Sequence, residues 1–147
     1  METLFCREYS RGRRLLGRLP HGQDLIKAVT AVCRETGIQM AAFAAHGAVS
    51  SVTLGVFDQQ QQVYVTAAEE KPFELVICQG HVSPQDGNPF VYAHGVLADT
   101  QGQTIGGRLF SDTLIFAAEI DLQELTGEPL NRHYDPKTGL MLWHAGE

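Results

Sequence analysis

The sequence predicts an α+β domain: a mostly antiparallel sheet of about seven strands with one main amphipathic helix. Three observations carry this. Apolar residues recur at three and four only once, at Leu25, Ala28, Val29, Val32 and Cys33, which is helical spacing. Elsewhere short β-branched or aromatic runs are separated by Gly, Asp, Asn and Pro clusters, the pattern of strands and tight turns. Those connections are too short for helical crossovers, so neighbouring strands run antiparallel.

Residues 1–12 are weakly patterned and read as an N-terminal arm, with residues 13–147 as the domain and Gly12 marking its start. Arg14–Leu19 alternates and ends at Pro20, as a strand does. Asp24 sits where a helix begins and favours its positive end; Gly37 supplies the stop. Ile38–Ala45 is alanine-rich, but Gly37 and His46-Gly47 break it, so it reads as a strand, followed by a tight bend at Gly47 that contains His46. Ala48–Phe57 is a second strand, β-branched at Val49, Val52, Thr53 and Val56. Asp58–Gln62 is a hairpin loop, Val63–Thr66 a short strand and Ala67–Pro72 a loop. Phe73–Val82 is a long strand with a bulge expected at Gly80. Turns over Ser83–Asn88 and Ala98–Gly102 flank the central strand Val91–Leu97. Ile105–Leu109 leads into a last long strand over Leu109–Ile120. The tail has Asp-Pro and Thr-Gly turn chemistry and apolar anchors at Leu140, Leu142 and Trp143, so it folds back on the body.

At 147 residues the chain has the size of one domain. No apolar run is long enough to span a bilayer, and Met1–Glu8 lacks the pattern of a secretion signal; the expectation is a cytoplasmic protein. Cys6, Cys33 and Cys78 form no CxxC pair and read as small side chains in a reducing compartment. The net charge of −6 argues against a strong non-specific nucleic-acid binder. The basic residues are unevenly spread, however: Arg7, Arg11, Arg13, Arg14 and Arg18 are five of the eleven. One helix covers only part of such a sheet, and its uncovered side implies an oligomer.

Order and spacing of several short motifs resemble the PPC family (plants and prokaryotes conserved domain, DUF296), in its prokaryotic stand-alone form. The stretches are Gly22-Gln23-Asp24-Leu25, Leu75 to Gly80, Gly87-Asn88-Pro89-Phe90, Tyr92-Ala93-His94, Gly106-Gly107-Arg108-Leu109, Glu119, and Arg132, Asp135 and Thr138-Gly139-Leu140. They span about residues 11–143. The resemblance implies a compact α+β fold assembled as a homotrimer. It also implies three histidines at the positions of Tyr92, His94 and Arg108, a set suited to a borderline divalent metal. Here two are replaced: tyrosine is a poor ligand at neutral pH and arginine cannot ligate. The expectation is that no metal or other cofactor is bound, unless His46 replaces one ligand. Plant members carry an Arg-Gly-Arg-Pro hook for DNA, which Arg11-Gly12-Arg13-Arg14 does not reproduce.

Tyr92 and His94 are two apart on a strand and share a face, and Arg108 and Glu119 are placed to meet them across the sheet. One reading is a polar pocket that holds a small anion through Arg108, with His94 as proton donor or hydrogen-bond partner. The other is a structural salt bridge in which Glu119 or Asp112 fills the Arg108 fork. No nucleophile elbow, P-loop, dinucleotide fingerprint or HExxH occurs. Three functions stand open: an oligomeric binding or regulatory domain of unassigned ligand; a trimeric small-molecule enzyme or sensor with its pocket at His94 and Arg108; and a DNA-associated protein using the arginine arm.

Overall fold

The structure, a computed structural model, describes residues 4–144. Ten strands and one helix follow in the order β1 (Ser10–Leu19), α1 (Leu25–Thr36), β2 (Ala41–Val49), β3 (Val52–Asp58), β4 (Val63–Glu69), β5 (Phe73–Gln85), β6 (Asn88–Ala98), β7 (Thr104–Leu109), β8 (Ile115–Thr126), β9 (Arg132–Asp135) and β10 (Leu140–Trp143). Eight of them form one sheet in the order β1-β8-β2-β5-β6-β7-β3-β4, and β9 and β10 form a separate hairpin. Every pairing is antiparallel. The predicted α+β class and single main helix are therefore present, with eight sheet strands in place of about seven.

The helix forms where the spacing placed it. The Asp24 carboxylate accepts from the Lys27 amide and caps the N-terminus. Gly37 ends the helix in the left-handed region, at φ 73°, a conformation that suits a residue without Cβ. Leu25, Ala28, Val29 and Cys33 are buried against one face of the sheet, with Leu75, Val91, Ala93, Leu97 and Leu122 in the same core. Burial raises the Cys33 and Cys78 thiols to about 11 and about 12, so both are protonated and unreactive at neutral pH.

Several boundaries differ from the sequence reading. The first strand begins at Ser10, ahead of Gly12. Ile38–Met40 lie outside β2, and Gly47 and His46 lie inside it; the turn falls at Ser50-Ser51. Glu69, not Thr66, ends β4. Most of the polar stretch Ser83–Asn88 is strand, and the turn itself is Asp86-Gly87, both with positive φ. The last long strand breaks over residues 110–114 and resumes as β8, which runs on to Thr126. Gly80 is not a bulge. The register slips between Leu75 and Ile77 instead. A Cβ on Gly80 would lie 2.4 Å from the Tyr92 carbonyl oxygen, so this glycine lets β5 and β6 approach.

The opposite face of the sheet carries no helix. Register places Leu16, Asp121, Ala44, Gln79, His94 and Arg108 in one row across it. Leu16, Ile77 and Val96 stand exposed on this face.

Candidate functional site

The site follows from the alternation of β6. Val91, Ala93, Gly95 and Leu97 point into the core, which sends Tyr92 and His94 to the open face. Arg108 on β7 is the direct register partner of His94, and Gly55 on β3 is the partner of Arg108 on its other side. Tyr64 reaches over from β4, and Phe110 follows β7, held by the hydrogen bond that its N–H donates to the Thr53 carbonyl.

These residues build a cage of rings around one guanidinium. The Arg108 Cζ lies 4.6 Å from the centre of Phe110, 4.7 Å from Tyr92, 4.9 Å from Tyr64 and 5.5 Å from Phe90. Each is within reach of the ring quadrupole. A second guanidinium, the buried Arg132, sits on the far side: 4.9 Å from Tyr92 and 4.6 Å from Trp143, donating to the Met141 carbonyl at 3.1 Å. Tyr92 thus lies against two cations. Neither arginine has an ion-pair partner among the described residues, and the Nε of each is buried without a hydrogen-bond acceptor.

The electrostatics follow the packing. Burial, reinforced by the charge of Arg108, lowers the pKa of His94, whose ring lies 5.1 Å from Tyr92. Burial and a hydrogen bond with Tyr64 raise that of Tyr92, against the pull of both arginines. Burial lowers Arg132, and Arg108 acts in the same direction. At neutral pH the cluster therefore holds a neutral imidazole, neutral phenol and cationic guanidinium.

A cleft of about 530 Å³ opens over this cluster, bounded by Gln59, His94, Arg108, Lys137 and Thr138, with Val56, Phe57, Tyr64 and Tyr92 as apolar wall. A second lobe of about 320 Å³ adjoins it and adds Gln62, Val63, Phe90 and Met141. Among the described residues no Asp or Glu lines either lobe, although the chain as a whole is acidic.

Of the residues singled out from sequence, the structure brings together Tyr92, His94 and Arg108. Glu119 is elsewhere: β2 and β5 separate β8 from β6, and Glu119 meets His46 at 3.2 Å on the exposed surface. Neither Glu119 nor Asp112 fills the Arg108 fork. Sequence reasoning missed Tyr64, Phe110, Lys137 and the inward turn of Arg132. Asp135 does hold its turn, accepting from the Thr138 amide and hydroxyl. The one available signal was Arg132 itself, a cation in a tail that also carries Tyr134 and Trp143.

The model of the Plants and Prokaryotes Conserved (PCC) domain matches residues 6–126. The chain belongs to this family. Among solved structures, a metal-containing protein from Archaeoglobus fulgidus is 36% identical with a TM-score of 0.92, covering 96% of this chain and 99% of that one. A plant- and prokaryote-conserved protein from Pyrococcus horikoshii is 34% identical with a TM-score of 0.90, covering 98% and 99%. A putative DNA-binding protein from Bacteroides thetaiotaomicron shares the fold at 22% identity, a TM-score of 0.82 and coverage of 92% and 96%. The bifunctional protein GlmU of a Synechococcus strain is 33% identical over 129 residues, 86% of this chain, but the chain spans only about a fifth of its length (20%).

A metal fits this PCC-domain chain poorly. One imidazole, a phenol kept protonated and a guanidinium facing them make a cationic set, and no group of three or more His, Cys, Asp or Glu is placed to hold an ion among the described residues. His46 lies two strands from His94 and pairs with Glu119, so it does not replace the missing ligand.

Proposed function

We propose that this PCC domain is an oligomeric binding or regulatory module that holds a small anion in the cleft over Arg108. The observation that carries this reading is a half-buried guanidinium, caged by four rings, that among the described residues has no carboxylate partner and no acid lining its cleft. Arg132, stacked on rings in the same way, lines neither lobe, whereas Arg108 lines both. Lys137 adds a second positive charge at the rim. The assembly is read as a homotrimer, supported by the uncovered sheet face with exposed Leu16, Ile77 and Val96.

The test is titration of the purified chain with inorganic phosphate, sulfate and acetate, read as a rise in melting temperature. At least one should stabilise the protein, and Arg108→Met should abolish the effect. No response to any of them at millimolar concentration refutes the reading. Light scattering at micromolar protein checks the assembly, and three times 16.1 kDa is expected; a monomer at every concentration refutes it.

The DNA reading gains little support. Arg13 and Arg14 are held by Glu124 and Asp121, at 2.9 and 2.7 Å, and Arg7 lies 3.8 Å from Glu128. The arginine arm is thus partly neutralised by the strand it pairs with. Competition titration at about 150 mM salt should show no preference for AT-rich over random duplex.

A further inference from the structure

Phosphate or sulfate would occupy only a corner of the space over Arg108, and the rest of the cleft has a different chemistry. The two lobes share a waist of Phe57, Tyr64, Tyr92, Arg108 and Leu140. On one side of the waist stand Lys137, Thr138, Gln59 and His94, the polar and cationic end. On the other stand Phe90, Val63 and Met141, an apolar and aromatic end. Its principal polar side chain is Gln62, whose Nε2 donates to the Lys137 carbonyl at 3.1 Å. That bond leaves the Gln62 carbonyl oxygen as an acceptor at the apolar end.

We infer that the cleft takes a phosphorylated ring compound of mononucleotide size, its phosphate between Arg108 and Lys137 and its planar ring in the lobe of Phe90, Tyr64 and Met141. The inference rests on the anion-binding reading above and extends it to the ligand's other end. Three features of the site agree. The lobes, about 530 and 320 Å³, lie in the size range of small-molecule clefts rather than single-ion sites. The rings present π-faces and edges on which a planar heterocycle stacks. The Gln62 oxygen offers an acceptor to an exocyclic amine or ring N–H.

The roof over both lobes is the β9–β10 hairpin, which supplies Lys137, Thr138, Leu140 and Met141. It is tied to the body at its base by the Arg132 stack and by the Trp143 indole donating to Ser83 Oγ at 2.9 Å. At its tip the Gln62 bond ties it to the β3–β4 turn. The family match ends at residue 126. Arg108 and most of the ring's lobe lie inside that match, and the hairpin adds Lys137, Leu140 and Met141 from beyond it.

Calorimetric titration of the full chain with three probes tests this: adenosine monophosphate, inorganic phosphate and adenosine, at about 50 mM salt so that screening does not mask the charges. The monophosphate should bind at least roughly tenfold tighter than either fragment, the gain expected of one stacked base. Arg108→Met and Lys137→Met should each weaken the monophosphate and inorganic phosphate alike. Met141→Trp, which fills the apolar lobe without adding a charge, should weaken the monophosphate and leave inorganic phosphate unchanged. Equal affinity for the monophosphate and inorganic phosphate overturns the inference and leaves the anion site standing. Absence of binding by every probe overturns both. Monophosphate binding that survives Arg108→Met and Lys137→Met places the nucleotide elsewhere and overturns the inference as well.

Discussion

Replacing Asp24 by alanine should destabilise the fold by far more than the loss of one surface acid. Its two carboxylate oxygens serve different elements. Oδ2 accepts from the Lys27 amide at 2.9 Å and caps α1; Oδ1 accepts from the Thr113 amide at 2.9 Å, in the segment between β7 and β8. Thr113 is fully buried, so its N–H has no access to water once the oxygen is gone. Loss of the cap costs about 1 kcal/mol, and an unmet buried amide costs about 1–3 kcal/mol more. The expected total is about 2–4 kcal/mol, a large part of the stability of an ordinary domain. Asp24→Ser separates the two contributions. Serine still caps the helix but is a bond too short to reach both amides, so it should recover about 1 kcal/mol. The assay is urea unfolding followed by circular dichroism, with all variants at one protein concentration because assembly contributes to stability. The midpoint should move and the slope should not. A change within about 0.5 kcal/mol for Asp24→Ala, the range of an ordinary surface substitution, refutes the reasoning.

Three further outcomes are expected. The Glu124 carboxyl, held at about 2 by hydrogen bonds from the Arg13 side chain and backbone, has its folded pKa below the ordinary 4.5. Its contribution is therefore present above that value and lost as pH falls towards about 2, and Glu124→Gln should flatten this part of the acid limb in an unfolding series. His94 should titrate below 6.5 by NMR; Arg108→Met should raise its midpoint, and an unchanged midpoint would show that the guanidinium does not act on the ring. Since protonation adds a cation to the cleft, the affinity for sulfate, whose charge does not change in this range, should rise as pH falls through that midpoint. Gly80→Val should unfold or strongly destabilise the protein, because its Cβ would stand 2.4 Å from a backbone oxygen that cannot swing aside; a soluble variant of native melting temperature would contradict this.

What was legible in the sequence was what is decided locally. Helix α1 and both its caps come from spacing and from Asp24 and Gly37, all within one short segment. The shared face of Tyr92 and His94 comes from the two-residue period of a strand and needs no knowledge of its neighbours. Glu119 shows where this stops. Its own strand was recognised, but its distance from His94 depends on β2 and β5 lying between them, and strand order is set by contacts remote in sequence. Arg108 met His94 because β6 and β7 are consecutive and joined by a short turn. Arg132 reached the same cluster by the opposite route: turn chemistry and apolar anchors announced that the tail folds back, as it does through Trp143, but not where it docks. The misplaced bulge has a simple cause: glycine marks either a bulge or a close approach, and Gly80 is the second.

The order of strands in the sheet also sets an order of events during synthesis. Ser10 lies opposite Thr126, so β1 has no strand to pair with until β8 has been made. At about 5–20 residues per second the wait is on the order of 5–20 s, and closing so long a loop slows folding further. In that interval β1 is a solitary extended segment, open to any edge it meets. Its arginines, Arg11, Arg13, Arg14 and Arg18, repel copies of itself on neighbouring nascent chains. When β8 emerges, Asp121 and Glu124 neutralise two of them, and the same charges that kept the strand apart now fix its register.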